Sequence, residues 1–314
     1  MRTPRPPQLY PTLSLISRTR AYATDVRSSG ISDATAYCQK LVQKHDYQSF
    51  LTSYFYPRYL QPGYFAIRAF NVELAMMKEQ VSNAAIGQMR MQFWRDSIKR
   101  IYMHQPPQHP IALALHAAGR HSTLPAYHFN RIIDARNRDF ENQSHMTMES
   151  LRAYSESTSS TAFYLLLDLL GISSSSVYSH AASHLGLAHS LTTLLRGLPF
   201  HASKGHIVIP TEITAKHKVR HEDVIRKGGS ALGISDAVYE FACIAKEELD
   251  VAREQFDGGK VPREAHPVFL SAVPVASYLA RLEAVDFDAF DPSLQMRDWK
   301  LPFSVWRHRS GGRF

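Results

Sequence analysis

From about residue 32 onward, apolar positions recur at three- and four-residue steps between short polar breaks, the pattern of one helix after another. Ser32 or Asp33 is placed to cap a helix running to about His45. Ile67, Phe70, Leu74, Met77 and Val81 form one buried stripe, and a second helix covers about Ala84 to Tyr102, ending before Pro106-Pro107. Further helices are expected over about Ala126 to Asn142, Met148 to Leu170, Val177 to Leu198 and Pro267 to Ala284. Val238, Phe241, Ala245, Leu249 and Ala252 mark another, with Asp236, Glu240, Glu247, Glu248 and Asp250 on its solvent side. Only Ile207-Val208-Ile209 has β character, and Pro210 ends it. Linkers such as Ser173 to Ser176 and Gly228-Gly229 are short, and no segment repeats at a fixed period. The pattern predicts one all-α domain over residues 31–296.

Composition narrows the class. Hydrophobic residues make up 44% of the 314, enough for a packed core and too many for a disordered chain. The two cysteines, Cys38 and Cys243, stand far apart in no metal spacing, which excludes a disulfide framework and suits a reducing compartment. Apolar runs such as Ala162 to Leu167 are broken by Asp168, well short of the roughly 18 residues a spanning helix needs.

The net charge of +8 belongs to the two ends. Residues 1–22 carry Arg2, Arg5, Arg18 and Arg20 and no acid; residues 297–314 carry Arg297, Lys300, Arg307, Arg309 and Arg313 against Asp298. The stretch between is neutral, which argues against nucleic-acid binding. Residues 1–22, with Leu13, Leu15 and Ile16 beside Arg18 and Arg20, read as a mitochondrial transit peptide, since a membrane negative inside draws a cationic helix inward. Arg20, two residues before the break, places cleavage between Tyr22 and Ala23; a plain basic tail is the alternative. Trp299, Phe303 and Trp306 in the basic C-terminal tail fit either an anionic membrane surface or packing against the domain.

Candidate chemistry is sparse. No phosphate-binding glycine loop, Walker motif or nucleophile elbow is present, and no cofactor is expected. His180 and His184 are spaced to share a helix face, as are His217 and His221, but zinc catalysis needs a third protein ligand that the spacing does not supply. They read as ordinary histidines, and no metal is expected.

Five segments in order carry more. These are Tyr64 to Leu74 (YFAIRAFNVEL), Met89 to Asp96 (MRMQFWRD), His109 to Ala112, Leu191 to Arg196 (LTTLLR) and Ile207 to Pro210. In this order and spacing the chain resembles the squalene/phytoene synthase superfamily across roughly residues 33–290. Within it, Phe65 to Val81 followed by Ile86 to Tyr102 is most similar to the mitochondrial branch of NADH dehydrogenase (complex I) assembly factor 6. The resemblance implies an all-α isoprenoid-synthase fold around a central apolar cavity.

It also marks where this sequence departs. Active synthases hold two facing Asp-rich motifs, whose carboxylates bridge magnesium to the substrate diphosphate. One registration puts the first motif at Ala75-Met76-Met77-Lys78-Glu79 and another at Asn71 to Ala75; neither supplies the pair of acids. For the second, Leu191 to Arg196 sets the register, and the two aspartate positions become Gly197 and His201. Glycine has no ligand atom, and imidazole suits magnesium poorly. Glu73 and Glu79 remain as acids, Glu73 being equally a solvated or Arg-paired helix residue. Tyr154 and Arg196 fall where the resemblance places cavity-facing residues, and Leu74, Met77 and Leu194 are further candidates for its lining.

The resemblance therefore implies a pseudoenzyme that helps assemble respiratory complex I. Its expected partners are complex I subunits or other assembly factors, its place the matrix side of the mitochondrial inner membrane, and its candidate ligand an apolar lipid. Two alternatives stay open: an active prenyltransferase joining isoprenoid diphosphates, and a lipid-binding protein unconnected to complex I.

Overall fold

Caps and breakers set the helix boundaries. The computed structural model describes residues 32–81, 83–140 and 145–314, and the helices within them follow one another with short links. They are α1 (residues 32–45), α2 (Tyr47–Ser53), α3 (Gln61–Gln80), α4 (Ala84–Tyr102), α5 (Pro110–Ala118), α6 (Ala126–Arg138), α7 (Met148–Ser155) and α8 (Thr161–Leu170). The second half holds α9 (Ser176–Ser203), α10 (Thr211–Lys216), α11 (His221–Lys227), α12 (Ile234–Glu254), α13 (His266–Phe269), α14 (Ala272–Glu283), α15 (Pro292–Gln295) and α16 (Leu301–Gly311). No strand occurs among the described residues, so the all-α expectation is met. The transit-peptide expectation, with its Tyr22–Ala23 cleavage point, lies outside them.

Three examples show the local causes. Asn83 caps α4 by accepting the Ile86 amide at 3.0 Å. Pro62 starts α3 where a missing N–H costs nothing. Gly171 ends α8 in the left-handed conformation (φ 72°) that glycine adopts without strain.

The centre of the fold is α9, 28 residues and about 42 Å long. α12 lies along it, and α7, α8 and α14 pack on its other sides. Beside it, Phe70 of α3 meets Trp94 of α4 and Phe129 of α6 edge-on at 5.4 and 5.3 Å, locking three helices through buried rings. Between α7 and α8 the chain takes one π turn, Glu156–Ser160, where this pair presses closest to α9. The contact is polar and small: Ser155 Oγ donates to Ser190 Oγ at 2.8 Å, Ser160 Oγ to the Ser183 carbonyl at 2.9 Å, and Ser183 Oγ to Glu156 at 2.7 Å. Gly186 lets the two backbones approach, since a Cβ there would fall 2.4 Å from Ser160 Cα.

Four expectations are corrected. The segment Ile207–Ile209 is extended and buries Ile207 and Ile209, but forms no strand. The nearby backbone bonds to another segment run from Thr211 and Glu212 to His145 and Met146, beyond Pro210, and form no ladder along it. α9 continues five residues past Leu198, through Pro199, because a proline removes one backbone bond while packing on the rest of the helix remains. The helix expected from Pro267 to Ala284 breaks into α13 and α14 at Leu270-Ser271; Pro274 has no N–H to bond the Leu270 carbonyl. Glu248, expected on the solvent side of α12, is 7% exposed, its carboxylate held by Arg152 and, at 2.7 Å, by His184 Nδ1. A buried carboxylate needs such partners.

The C-terminal segment packs on the domain, though not through its exposed aromatics. Leu301 and Val305 of α16 bury against Leu270 and Val273, and Phe314 stacks on Phe269 at 5.5 Å. Trp299, Phe303 and Trp306 stay outside, 81%, 64% and 57% exposed. No helix among the described residues is long and apolar enough to cross a membrane.

Candidate pocket

One large pocket, of about 880 Å³, opens where α3, α4, α6, α7 and α9 converge. Its size falls within the range of small-molecule sites, about 300–1,000 Å³. The last turns of α3 contribute Leu74, Ala75, Lys78 and Glu79, and the first residues of α4 close that side with Asn83 and Ala84. Arg136, Asp139 and Phe140 come from the end of α6, and His145 and Tyr154 from the entry to α7 and its body. The second half of α9 supplies Thr193, Leu194, Phe200, His201 and Lys204, and the extended segment after it His206, Ile207 and Val208. Lys78, Glu79, Lys204 and His206 are exposed at the mouth; Arg136, Asp139, His145, Tyr154 and His201 are half-buried. The expected apolar cavity is thus amphipathic, with apolar walls and a charged rim.

Electrostatics divide the rim. Tyr154 donates to Asp139 Oδ2 at 2.6 Å and accepts from Arg136, so that carboxylate is already engaged. Burial raises the Tyr154 phenol, and Arg136 pulls the other way. His145 lies tilted against Tyr154, ring centres 5.0 Å apart; burial lowers it, Asp139 raises it, and Lys78 lowers it again. His201 is likewise lowered by burial, with Glu79 opposing and His206 and Lys78 reinforcing. Both imidazoles are therefore biased toward the neutral form.

The structure places the sequence-selected residues unevenly. Leu74, Ala75, Glu79, Tyr154, Leu194 and His201 line the pocket. Met77 does not; it is a core residue, 1% exposed. Asn71 and Glu73 lie on α3 off the pocket, the charge of Glu73 being felt instead by Tyr37 and His109. Arg196 and Gly197 belong to α9 but not to the pocket wall: the Arg196 carbonyl accepts from Gln295 at 3.4 Å, and a Cβ on Gly197 would sit 3.2 Å from the His201 ring. The basic residues Lys78, Arg136, Lys204 and His206 were not singled out in the sequence. One helical turn beyond His201 leads to Lys204, which is the signal that would have found it.

Magnesium does not fit these donors. The acidic side chains lining the pocket are Glu79 and Asp139, on different helices, and Asp139 is committed to Tyr154. A magnesium site wants several hard oxygen ligands around near-octahedral ions; here two carboxylates share a rim with three cations, Lys78, Arg136 and Lys204. No cluster of three or more His, Cys, Asp and Glu side chains among the described residues has the geometry to hold a metal ion. The histidine pairs are used elsewhere: His184 binds Glu248, His217 Nε2 donates to Glu240 at 2.7 Å, and His221 meets Thr214 at 3.2 Å.

An all-helical fold enclosing an open amphipathic pocket between its central helices is the architecture of the isoprenoid-synthase class. The sequence signature of squalene/phytoene synthase matches residues 42–307, and the chain belongs to that family. A solved squalene synthase from Alicyclobacillus acidocaldarius superposes with a TM-score of 0.71 at 18% identity, over 83% of this chain and 97% of that one, which shows a shared fold. Among curated relatives, the NADH dehydrogenase (ubiquinone) complex I assembly factor 6 of Rattus norvegicus is 38% identical over 98% of this chain and 93% of its own length. The protein of the same name from Homo sapiens is 37% identical over 86% of this chain and 80% of its own.

Proposed function

We propose that this protein is a non-catalytic assembly factor for respiratory complex I, acting at the matrix face of the mitochondrial inner membrane. The observation that carries the proposal is the 38% identity to the rat assembly factor along nearly the whole chain. The pocket chemistry supports it: with two carboxylates on a mainly basic rim, nothing neutralises a diphosphate leaving group through bridging magnesium, a stabilisation worth several kcal/mol. Disrupting the gene and resolving membranes on native gels is expected to show loss of mature complex I with subassemblies accumulating. Normal amounts of intact complex would overturn the proposal. The fold shared with squalene synthase keeps head-to-head prenyl transfer as the second reading; magnesium-dependent consumption of farnesyl diphosphate by the purified protein would favour it.

The membrane placement rests on α16. Its aliphatic side is spent on the domain, while Phe303 and Trp306, stacked at 5.9 Å, project outward with Trp299 and with Lys300 and Arg307 nearby in the chain. Exposed aromatics flanked by bases suit the headgroup layer of an anionic bilayer, where each base adds about 1 kcal/mol. Serine at Trp299, Phe303 and Trp306 together is expected to abolish most co-sedimentation with cardiolipin-containing vesicles, with the thermal melt preserved because Leu301 and Val305 remain. Unchanged sedimentation would remove the membrane from the proposal without touching the role in assembly.

A further inference from the structure

We propose that the outer face of α4 is a docking surface for an acidic amphipathic helix of a partner protein. The inference deepens the assembly role and rests on it for the presence of a partner chain.

An uncovered apolar stripe is the first observation. Ile86, Met89 and Phe93 stand at i, i+3 and i+7 on α4, and all three are exposed, Met89 to 73%. On a helix these positions share about 60° of arc and span about 10 Å of the axis. The inner side of α4 is complete without them, since Gly87, Met91, Trp94, Ile98 and Ile101 are buried. Its flank is also engaged: Arg95 pairs with Asp134 of α6, and the Tyr102 hydroxyl donates to the Leu124 carbonyl just before α6. Phe93 is fixed at its edge by Trp94 and His109, ring centres 5.5 and 6.0 Å away, so it cannot fold inward. A single exposed apolar side chain is ordinary, but three in helical register make a face that association would cover.

The charges around the stripe select the occupant. α4 carries Arg90, Arg95, Lys99 and Arg100 against one acid, Asp96, which accepts from Gln92 at 3.0 Å. Arg90, Lys99 and Arg100 are exposed, and among the described residues none of them is in an ion pair. Arg90 borders the stripe on one side, and Arg100 continues its line two turns beyond Phe93. A guanidinium presents a planar fork that carboxylates match. The rim therefore complements glutamates or aspartates flanking an apolar seam.

Shape points to a helix. The backbone of α4 is bonded within itself and offers no edge to an added strand, whereas anchors at i, i+3 and i+7 suit a helix laid alongside. A protein partner is favoured over an anionic bilayer on two grounds. Met, Phe and Arg are the residue types enriched at the centres of protein interfaces. Asp96 lies on the same outer side and would be pressed against anionic headgroups.

The test is photo-crosslinking in intact mitochondria. The full chain, carrying benzoylphenylalanine in place of Met89 or, as control, of exposed Leu232, is expressed in the disrupted strain. Irradiation through Met89 is expected to give a protein adduct at least about tenfold above the control, and sequencing should place it in a net-acidic helical segment. Arg90→Glu with Arg100→Glu should lower that adduct about tenfold, and Phe93→Ser should do the same. All three side chains are exposed, so thermal melts are expected to match the parent. An adduct confined to lipid, one on a segment without net acidic charge, equal yield after charge reversal, or no yield above the control would each overturn the inference. Any of these beside loss of complex I in the disrupted strain would leave the assembly role standing. An acidic-helix adduct beside normal complex I would sink the assembly role and keep the docking face.

Discussion

Gly186→Ala is expected to destabilise the protein by about 3 kcal/mol, although alanine normally improves a helix over glycine by about 1 kcal/mol. The new methyl would lie 2.4 Å from Ser160 Cα and 2.6 Å from Ser160 N, and both are backbone atoms that cannot rotate away. Relief requires α9 to separate from the π turn, which also stretches the bonds of Ser155 with Ser190 and of Ser160 with Ser183. For a domain of this size the melting temperature should fall by roughly 6–12 °C. Gly119→Ala is the matched control. Gly119 has an ordinary helical φ of −63°, and its nearest contacts to a Cβ are two carbonyls at 3.6 and 3.7 Å, so scanning calorimetry should find it within about 0.5 kcal/mol of the parent. A Gly186→Ala protein that melts with the parent would show that α9 and the π turn can part freely.

Acidification from pH 7 to pH 5 is expected to remove about 2 kcal/mol through His189 alone. Burial, then the cations Arg68 and Arg196, push this imidazole down to about 4, with Asp46 opposing. Its Nδ1 is sealed from solvent and has no hydrogen-bond partner, and Phe163 lies edge-on at 5.7 Å. In the unfolded chain the same group titrates near 6.5. Between the two values the unfolded state binds the proton and the native state does not, so stability is full above about pH 6.5 and declines as pH falls toward 4. His109, His128, His145, His201 and His266 are all lowered by burial and act in the same direction; Asp168, raised by burial, acts in the opposite one. Chemical denaturation of His189→Gln should show a smaller loss between pH 7 and pH 5 than the parent. Identical pH dependence would mean that another group carries the effect.

Much of the architecture was readable because local signals agreed with the global packing. The Ala84–Tyr102 helix was legible from its stripe and the breaker after it; of the stripe on α3, Ile67, Phe70, Leu74 and Met77 are buried, while Val81 falls just past the helix end and is half-buried. Where local and tertiary causes diverged, the sequence misled. Pro199 is a strong local stop, yet α9 runs through it; Ile207–Ile209 has strand propensity but no neighbouring strand to pair with. Glu248 carries a charge that propensity sends to solvent, and Arg152 and His184 from other helices make its burial tolerable. The π turn at Glu156–Ser160 leaves no periodic mark, because the hydrophobic stripe continues on both sides of it.

The pocket divides in the same way. Ala75 and His201 could be selected because the resemblance supplied a register on α3 and α9, and both do line the wall. That register asked where acids should stand, so it had no reason to weigh Lys78 or Lys204. Arg136, Asp139 and His145 come from chain segments outside both motifs, and their convergence is a product of tertiary packing alone. Met77 shares the stripe of Leu74 yet lies in the core and not on the wall, because one helical turn is enough to separate the two settings.

The walls from Leu74 to Val208 have a practical corollary. No short fragment of the chain can form them, so an occupant would engage only the native state and tighten it as a whole. A compound collection could therefore be screened by melting shift with no assay of turnover, and whichever chemotype delays unfolding would report what this cleft has evolved to hold.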